Sequence, residues 1–195
     1  IMAHYILHTD VVRYVSISQM KILIFLIFPM LALSSCISDD DNIETVNHVV
    51  VGNNVPEFET AELKSPDDFL GNKTLLVLFT TTCDDCRRDI PFAEHAYSRL
   101  KSEGLKVVTI GRDETTQTIN DYWNELGLSM PFLPDTDRAI FNLFANQTVP
   151  RFYLIDESGT IVWMCGNNLG YGAYTQQKAD QFCSLIREKL SIKGA

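Results

Sequence analysis

The sequence predicts an α/β fold, one layered domain in which strands and helices alternate, and three observations carry that expectation. From about residue 51 onward, apolar segments of strand length and of helical period follow one another. Residues 75–79 (LLVLF) form an uninterrupted apolar run between Gly71-Asn72 and Thr80-Thr81-Thr82, the pattern of a strand buried on both faces. The 195-residue chain is 46% hydrophobic and 21% charged, the composition of a globular protein with room for one core plus targeting sequence.

Each element follows from a local signal. The run 75–79 is the expected centre of the sheet. Residues 84–103 carry Ile90, Phe92, Ala93, Ala96, Tyr97 and Leu100 at helical spacing and end at Gly104, a helix stop; Pro91 inside this stretch predicts a kink. Residues 105–110 read as the next strand, 115–126 as a helix stopped by Gly127, 131–134 as a short extended piece and 137–144 as a short helix. Residues 151–155 and 160–164, joined through Glu157-Ser158-Gly159, form the pattern of a β-hairpin. Residues 175–190 close the domain as a helix with Ala179, Phe182, Cys183, Ile186 and Leu190 on one face. Tyr122, Trp123, Phe141, Phe144 and Trp163 are expected in the core or at its rim. The Gly/Asn/Tyr-rich stretch 166–174 reads as a surface loop, with a mobile flap as the alternative.

The N-terminus reads as targeting sequence. Residues 22–33 (ILIFLIFPMLAL) are uninterruptedly apolar after Lys21; at about 1.5 Å rise per residue they are too short for a hydrocarbon core of roughly 30 Å. They fit the apolar region of a signal peptide. The tetrad Leu33-Ser34-Ser35-Cys36 resembles the bacterial lipobox, whose cysteine receives the lipid. The expected organisation is therefore residues 1–19 upstream of the true start at Met20, a lipoprotein signal peptide over 20–36 ending at Cys36, a polar acidic tether over 37–50, and the folded domain over 51–195. An ordinary signal peptide with an incidental cysteine is the alternative.

Charge narrows the partners. With 25 acidic against 16 basic residues the net charge is −9, and no basic stripe interleaved with aromatics is present, so nucleic acid is not an expected partner. The five cysteines, 36, 83, 86, 165 and 183, are too few for a disulfide scaffold in a chain of this size. Cys165 and Cys183 are expected as inert small hydrophobes, with a bridge between them as the alternative. His48 and His95 have no metal-site spacing relative to the other cysteines. Arg87 stands where a haem-attachment motif requires histidine.

The chemistry points to Cys83-Asp84-Asp85-Cys86, which falls where the buried strand gives way to a helix. Free amides and the positive end of the helix dipole favour a thiolate on the first cysteine. Two intervening residues let Cys86 return and resolve a mixed disulfide. Cys83 is thus the candidate nucleophile and Cys86 the candidate resolver.

These residues resemble the thioredoxin superfamily, in particular its TlpA/ResA-like thiol-disulfide oxidoreductases. Gly52, Pro56 and Phe58 look like that family's opening segment; Thr148-Val149-Pro150, the strand RFYLID and the turn after it resemble its cis-proline loop and hairpin. The resemblance implies a thioredoxin-like three-layer sandwich with a central mixed β-sheet flanked by helices. It implies a protein-disulfide reductase in the cell envelope, working without a cofactor beyond the cysteine pair. Its implied partners are extracytoplasmic protein thiols and disulfides and a membrane electron donor. Val149 and Pro150 are carried over as substrate-binding residues, and Asp89, three residues after Cys86, as the carboxyl that moves the proton between the thiols. Thr82 and Asp85 replace the tryptophan and proline common in the family. Two aspartates inside the motif disfavour a neighbouring thiolate, so a reducing pair is expected. Thr80-Thr81-Thr82-Cys83 also echoes a peroxiredoxin TxxC, which keeps a thiol peroxidase as the rival enzyme class; a non-catalytic binding lipoprotein on the same fold is the other alternative.

Overall fold

The structure, a computed structural model, describes residues 45–192. The expectations for residues 1–19, the signal peptide and Cys36, and the tether up to residue 44 lie outside the described residues. Five strands make one sheet, β3 (Lys73–Phe79), β4 (Leu105–Arg112), β5 (Phe132–Asp135), β6 (Arg151–Ile155) and β7 (Ile161–Cys165), in the order β5-β4-β3-β6-β7. β3 pairs parallel with β4, and β4 with β5, whereas β6 runs antiparallel to β3 and β7 antiparallel to β6. The sheet is therefore mixed. A two-stranded ribbon, β1 (Phe58–Glu59) and β2 (Lys64–Ser65), precedes it.

The apolar run predicted as the sheet's middle is its middle: Leu75, Leu76, Val77, Leu78 and Phe79 are all fully buried. Helices α1 (Asp84–Leu100), α2 (Thr116–Leu126), α3 (Phe141–Phe144) and α4 (Gln176–Leu190) flank it. α1 packs against α4, and Trp123 of α2 meets Phe79 at 5.0 Å and Phe132 at 5.3 Å between ring centroids. This is the thioredoxin-like α/β arrangement.

The helix ends obey local chemistry. Thr115 and Thr175 cap α2 and α4 by accepting the amides of Thr118 and Lys178. Gly127 ends α2 at φ +66°, the left-handed geometry that glycine adopts without steric cost. α1 runs through Pro91 as one element and passes into a 3-10 turn, Lys101–Glu103.

Two expectations need correction. The helix expected over 137–144 is helical only over Phe141–Phe144. Arg138 stands in the left-handed region at φ +62°, and the Asp135 carboxyl accepts the amides of Ile140 and Phe141, fixing the helix start later in the chain. Residues 45–50, assigned to the tether, lie against the domain: Asn47 forms an antiparallel bridge with Ala145, the His48 amide donates to Phe144, and Val49 is buried.

Candidate active site

β3 ends at Phe79, and α1 begins five residues later, so the intervening Thr80-Thr81-Thr82-Cys83 lies at the carboxyl end of the sheet's central strand, with Thr80 buried and Thr82 exposed. Cys83 caps α1. Its backbone is extended (φ −93°, ψ 122°) and its sulfur accepts the Cys86 amide at 3.2 Å, taking the place a serine or aspartate oxygen holds in an ordinary cap. The free amides of the first turn and the helix dipole thus converge on this sulfur.

The two cysteines differ in environment. Cys83 is half-buried and its thiol points to the Val149 carbonyl oxygen at 3.6 Å. Cys86 is fully buried, and that burial pushes its thiol far above the ordinary value. Both are free thiols. The Val149-Pro150 bond is cis, and the antiparallel pairing of β3 with β6, Leu78 opposite Arg151, is what brings this loop beside the start of α1. The structure therefore unites Cys83, Cys86, Val149 and Pro150, residues drawn from two distant parts of the sequence.

Asp89 is placed differently from its expected partner. It is fully buried one turn beyond Cys86, but its carboxyl accepts the Leu169 amide at 2.7 Å and Arg88 Nε at 3.1 Å. Burial raises its pKa above the usual carboxylate range against these two bonds. The thiol on which its charge bears is Cys165, itself raised mainly by burial. Cys165 donates to the Asn168 carbonyl at 2.9 Å, and Cys183 is buried with its pKa pushed up to about 11; the two are free thiols rather than a bridge.

The stretch 166–174 is a surface loop with anchoring contacts. Tyr171 stacks on Phe92 at 5.4 Å, Tyr174 meets the same ring edge-on at 5.3 Å, and Asp89 holds the Leu169 amide.

Sequence reasoning missed a second group of residues. Glu114 Oε1 accepts three donors at 2.7 Å each, the hydroxyl and amide of Thr81 and the hydroxyl of Thr80, and so holds the segment that leads into Cys83. Arg112, at the end of β4, donates to the Gln147 carbonyl in the loop before Pro150 and lies over the Phe141 ring at 4.9 Å. Its charge reaches both thiols of the pair. The available signal was Arg112-Asp113-Glu114, three charges at the carboxyl end of a buried parallel strand, where sites assemble in α/β sheets.

A thiol capping a helix, a buried second thiol one turn on and a cis-proline loop beside them define a thiol-disulfide oxidoreductase of the thioredoxin superfamily. Known proteins agree. The Redoxin family model matches residues 50–167, and the chain belongs to that family. It is 23% identical over 141 residues to the thiol-disulfide oxidoreductase ResA of Bacillus subtilis, covering 72% of this chain and 73% of that protein. With ResA of Halalkalibacterium halodurans it shares 27% identity over 131 residues, 67% of this chain and 70% of the relative. The fold is that of a thiol:disulfide interchange protein from a Bacteroides species (TM-score 0.56, 16% identity, 76% of this chain and 93% of the other). It is equally that of a thioredoxin family thiol:disulfide interchange protein from Chlorobium tepidum (TM-score 0.54, 19% identity, 71% and 98%). The chain is thus a TlpA/ResA-like thiol-disulfide oxidoreductase.

Proposed function

We propose that this protein reduces disulfides of proteins in the cell envelope, where lipid on Cys36 anchors it and a membrane donor returns its electrons. The observation that carries the catalytic part is the Cys83 sulfur, capped by the Cys86 amide and 3.6 Å from the Val149 carbonyl.

In the forward step the Cys83 thiolate attacks one sulfur of the client disulfide; that S–S bond breaks, and the departing client sulfur takes a proton. Cys86 then loses its proton and attacks the Cys83 sulfur, breaking the mixed disulfide and releasing the second client thiol. The client gains two electrons and two protons, and Cys83 and Cys86 become a disulfide. Val149 is the backbone strand partner of the client segment, and Pro150 faces the mixed disulfide. Asp89, three residues after Cys86 and raised by burial, is assigned the role of holding the proton that Cys86 gives up by resemblance to the family. The two carboxylates inside the motif, Asp84 and Asp85 in the first turn of α1, are the basis for reading the pair as reducing.

Insulin reduction tests the reaction. Loss in both Cys83→Ser and Cys86→Ser supports disulfide exchange; peroxide turnover that survives Cys86→Ser supports a thiol peroxidase, and no turnover of either substrate supports a binding protein. Titration against glutathione tests the direction: a potential as oxidising as that of a dedicated disulfide donor, roughly −120 mV, overturns the reductant. Mass spectrometry of the N-terminal peptide from membranes tests the lipid on Cys36.

A further inference from the structure

β6 opens with Arg151, the residue immediately after Pro150, and its side chain is fully buried. A guanidinium carries five donors and keeps its charge, so burial demands partners. Among the described residues, its hydrogen bonds go to uncharged groups. Nε donates to the Thr148 carbonyl at 2.8 Å, one terminal nitrogen to the Thr148 hydroxyl at 3.0 Å, and the other to Asn47 Oδ1 at 2.6 Å. Two of the three bonds hold the residue that precedes Val149, and the third comes from before the predicted domain.

The site is built to admit this contact. A Cβ on Gly166 would stand 3.1 Å from the guanidinium and 3.5 Å from Asn47 Oδ1, so glycine leaves the room that both groups occupy. The Thr148 hydroxyl donates to the Gly166 carbonyl at 3.1 Å while it accepts from Arg151, which fixes its orientation. The residues on either side of Asn47 are held by their own amides: that of Val46 donates to the Asn146 side-chain Oδ1 at 2.8 Å and that of His48 to the Phe144 carbonyl at 2.9 Å. Removing the Asn47 amide therefore subtracts one bond to Arg151 and leaves the segment's own docking bonds in place.

We propose that Asn47 and Arg151 are positioning residues for the client: the asparagine fixes the buried guanidinium, the guanidinium fixes Thr148, and Thr148 sets the Val149 backbone against which a client disulfide docks. The inference rests on the reading of Val149 as the client's contact. Arg151 touches neither reacting sulfur in this scheme, so its effect belongs to client binding and not to the thiol chemistry.

The test uses Asn47→Ala, with Asn47→Asp as the conservative variant that keeps the acceptor, in the mature protein. Three measurements are made on each: kcat and KM for insulin, the rate of Cys83 alkylation by iodoacetamide, and amide hydrogen exchange over 145–149. The expected result for Asn47→Ala is a KM raised about tenfold, the order of one hydrogen bond to a charged group. With it go an unchanged kcat and alkylation rate and faster exchange in the loop, all restored in Asn47→Asp. Unchanged exchange in a folded variant overturns the lock. Faster exchange with an unchanged KM overturns Val149 as the client's contact. A parallel fall in kcat, alkylation rate and thermal midpoint overturns positioning in favour of a merely structural contact.

Discussion

The thiol of Cys83 points to the carbonyl oxygen of Val149 at 3.6 Å, while Cys86, three residues on, is closed off from solvent entirely. Two sulfurs of one motif thus have opposite access. A thiol whose pKa burial has raised stays protonated at neutral pH and is a poor nucleophile. Within this pair, reduced protein treated with iodoacetamide at pH 7.5 is therefore expected to take its adduct on Cys83, with Cys86 modified only after unfolding. Peptide mapping checks this, and equal labelling of both would mean that the burial does not hold in solution.

Glu114 collects the Thr80 hydroxyl and both donors of Thr81 on one oxygen. Glu114→Gln keeps an acceptor there, whereas Glu114→Ala strands buried donors at about 1–3 kcal/mol each. The alanine variant is expected to lose stability in urea and to reduce insulin more slowly than the glutamine variant, since the segment carrying Cys83 loses its hold. Equal behaviour of the two would show that the three bonds do not position the thiol.

Gly111 lies opposite Phe79 in the register of β3 and β4, and a Cβ there would stand 2.7 Å from Ile119 Cδ1 and 3.1 Å from Glu114 Cβ. The isoleucine tip can yield, but the Glu114 stem is close to its own backbone. Gly111→Ala is expected to cost about 1–3 kcal/mol by overpacking and to slow exchange in the same direction as Glu114→Ala. A variant as stable and as active as the parent would contradict it.

Burial raises the Asp89 pKa in the fold above its unfolded value. The folded state then binds the proton more tightly, so stability falls as pH rises from about 4, the ordinary carboxylate value, through the raised one, and the penalty is complete above it. Asp89→Asn removes this penalty. The urea midpoint of the variant, compared with the parent across pH 3–8, is expected to move in the variant's favour as pH increases. Movement the other way would mean that the bonds from Leu169 and Arg88 outweigh desolvation.

Phe92 carries the rings of Tyr171, Tyr174 and Phe182 at 5.4, 5.3 and 6.4 Å. Phe92→Ala is expected to destabilise the fold by about 3–5 kcal/mol. Limited proteolysis is expected to cut first within 166–174, because that loop loses its ring contacts. First cleavage elsewhere would show the loop to be held by other means.

Much of this architecture was legible because its signals are local. The run 75–79 declared a buried strand, Gly104 and Gly127 declared helix ends, and Cys83-Asp84-Asp85-Cys86 at a strand-to-helix junction declared the chemistry. Thr148-Val149-Pro150 was assigned to the loop that meets it by resemblance to the family and not by a local signal. The partners of these pieces were not legible. Glu114 meets Thr80 across 34 residues, and Asn47 meets Arg151 across 104; sheet pairing and chain docking bring them together, and no sequence period records either. The helix expected over 137–144 failed because the apolar spacing was right while one residue, Arg138, took a left-handed conformation that spacing cannot reveal. Asp89 fell at the expected position along α1, yet the loop from 166 to 174 supplies one of its two hydrogen-bond donors, a contact that distance along the helix does not encode.

The grip on Thr148 contains nothing that titrates in the working range: a guanidinium that keeps its proton, an amide side chain, a hydroxyl and a backbone carbonyl. Acidification of the surroundings would therefore leave the hold on Thr148 as it was. A dependence of the reaction on pH would then have to enter through groups other than these, and the loop before Pro150 would keep one geometry across it.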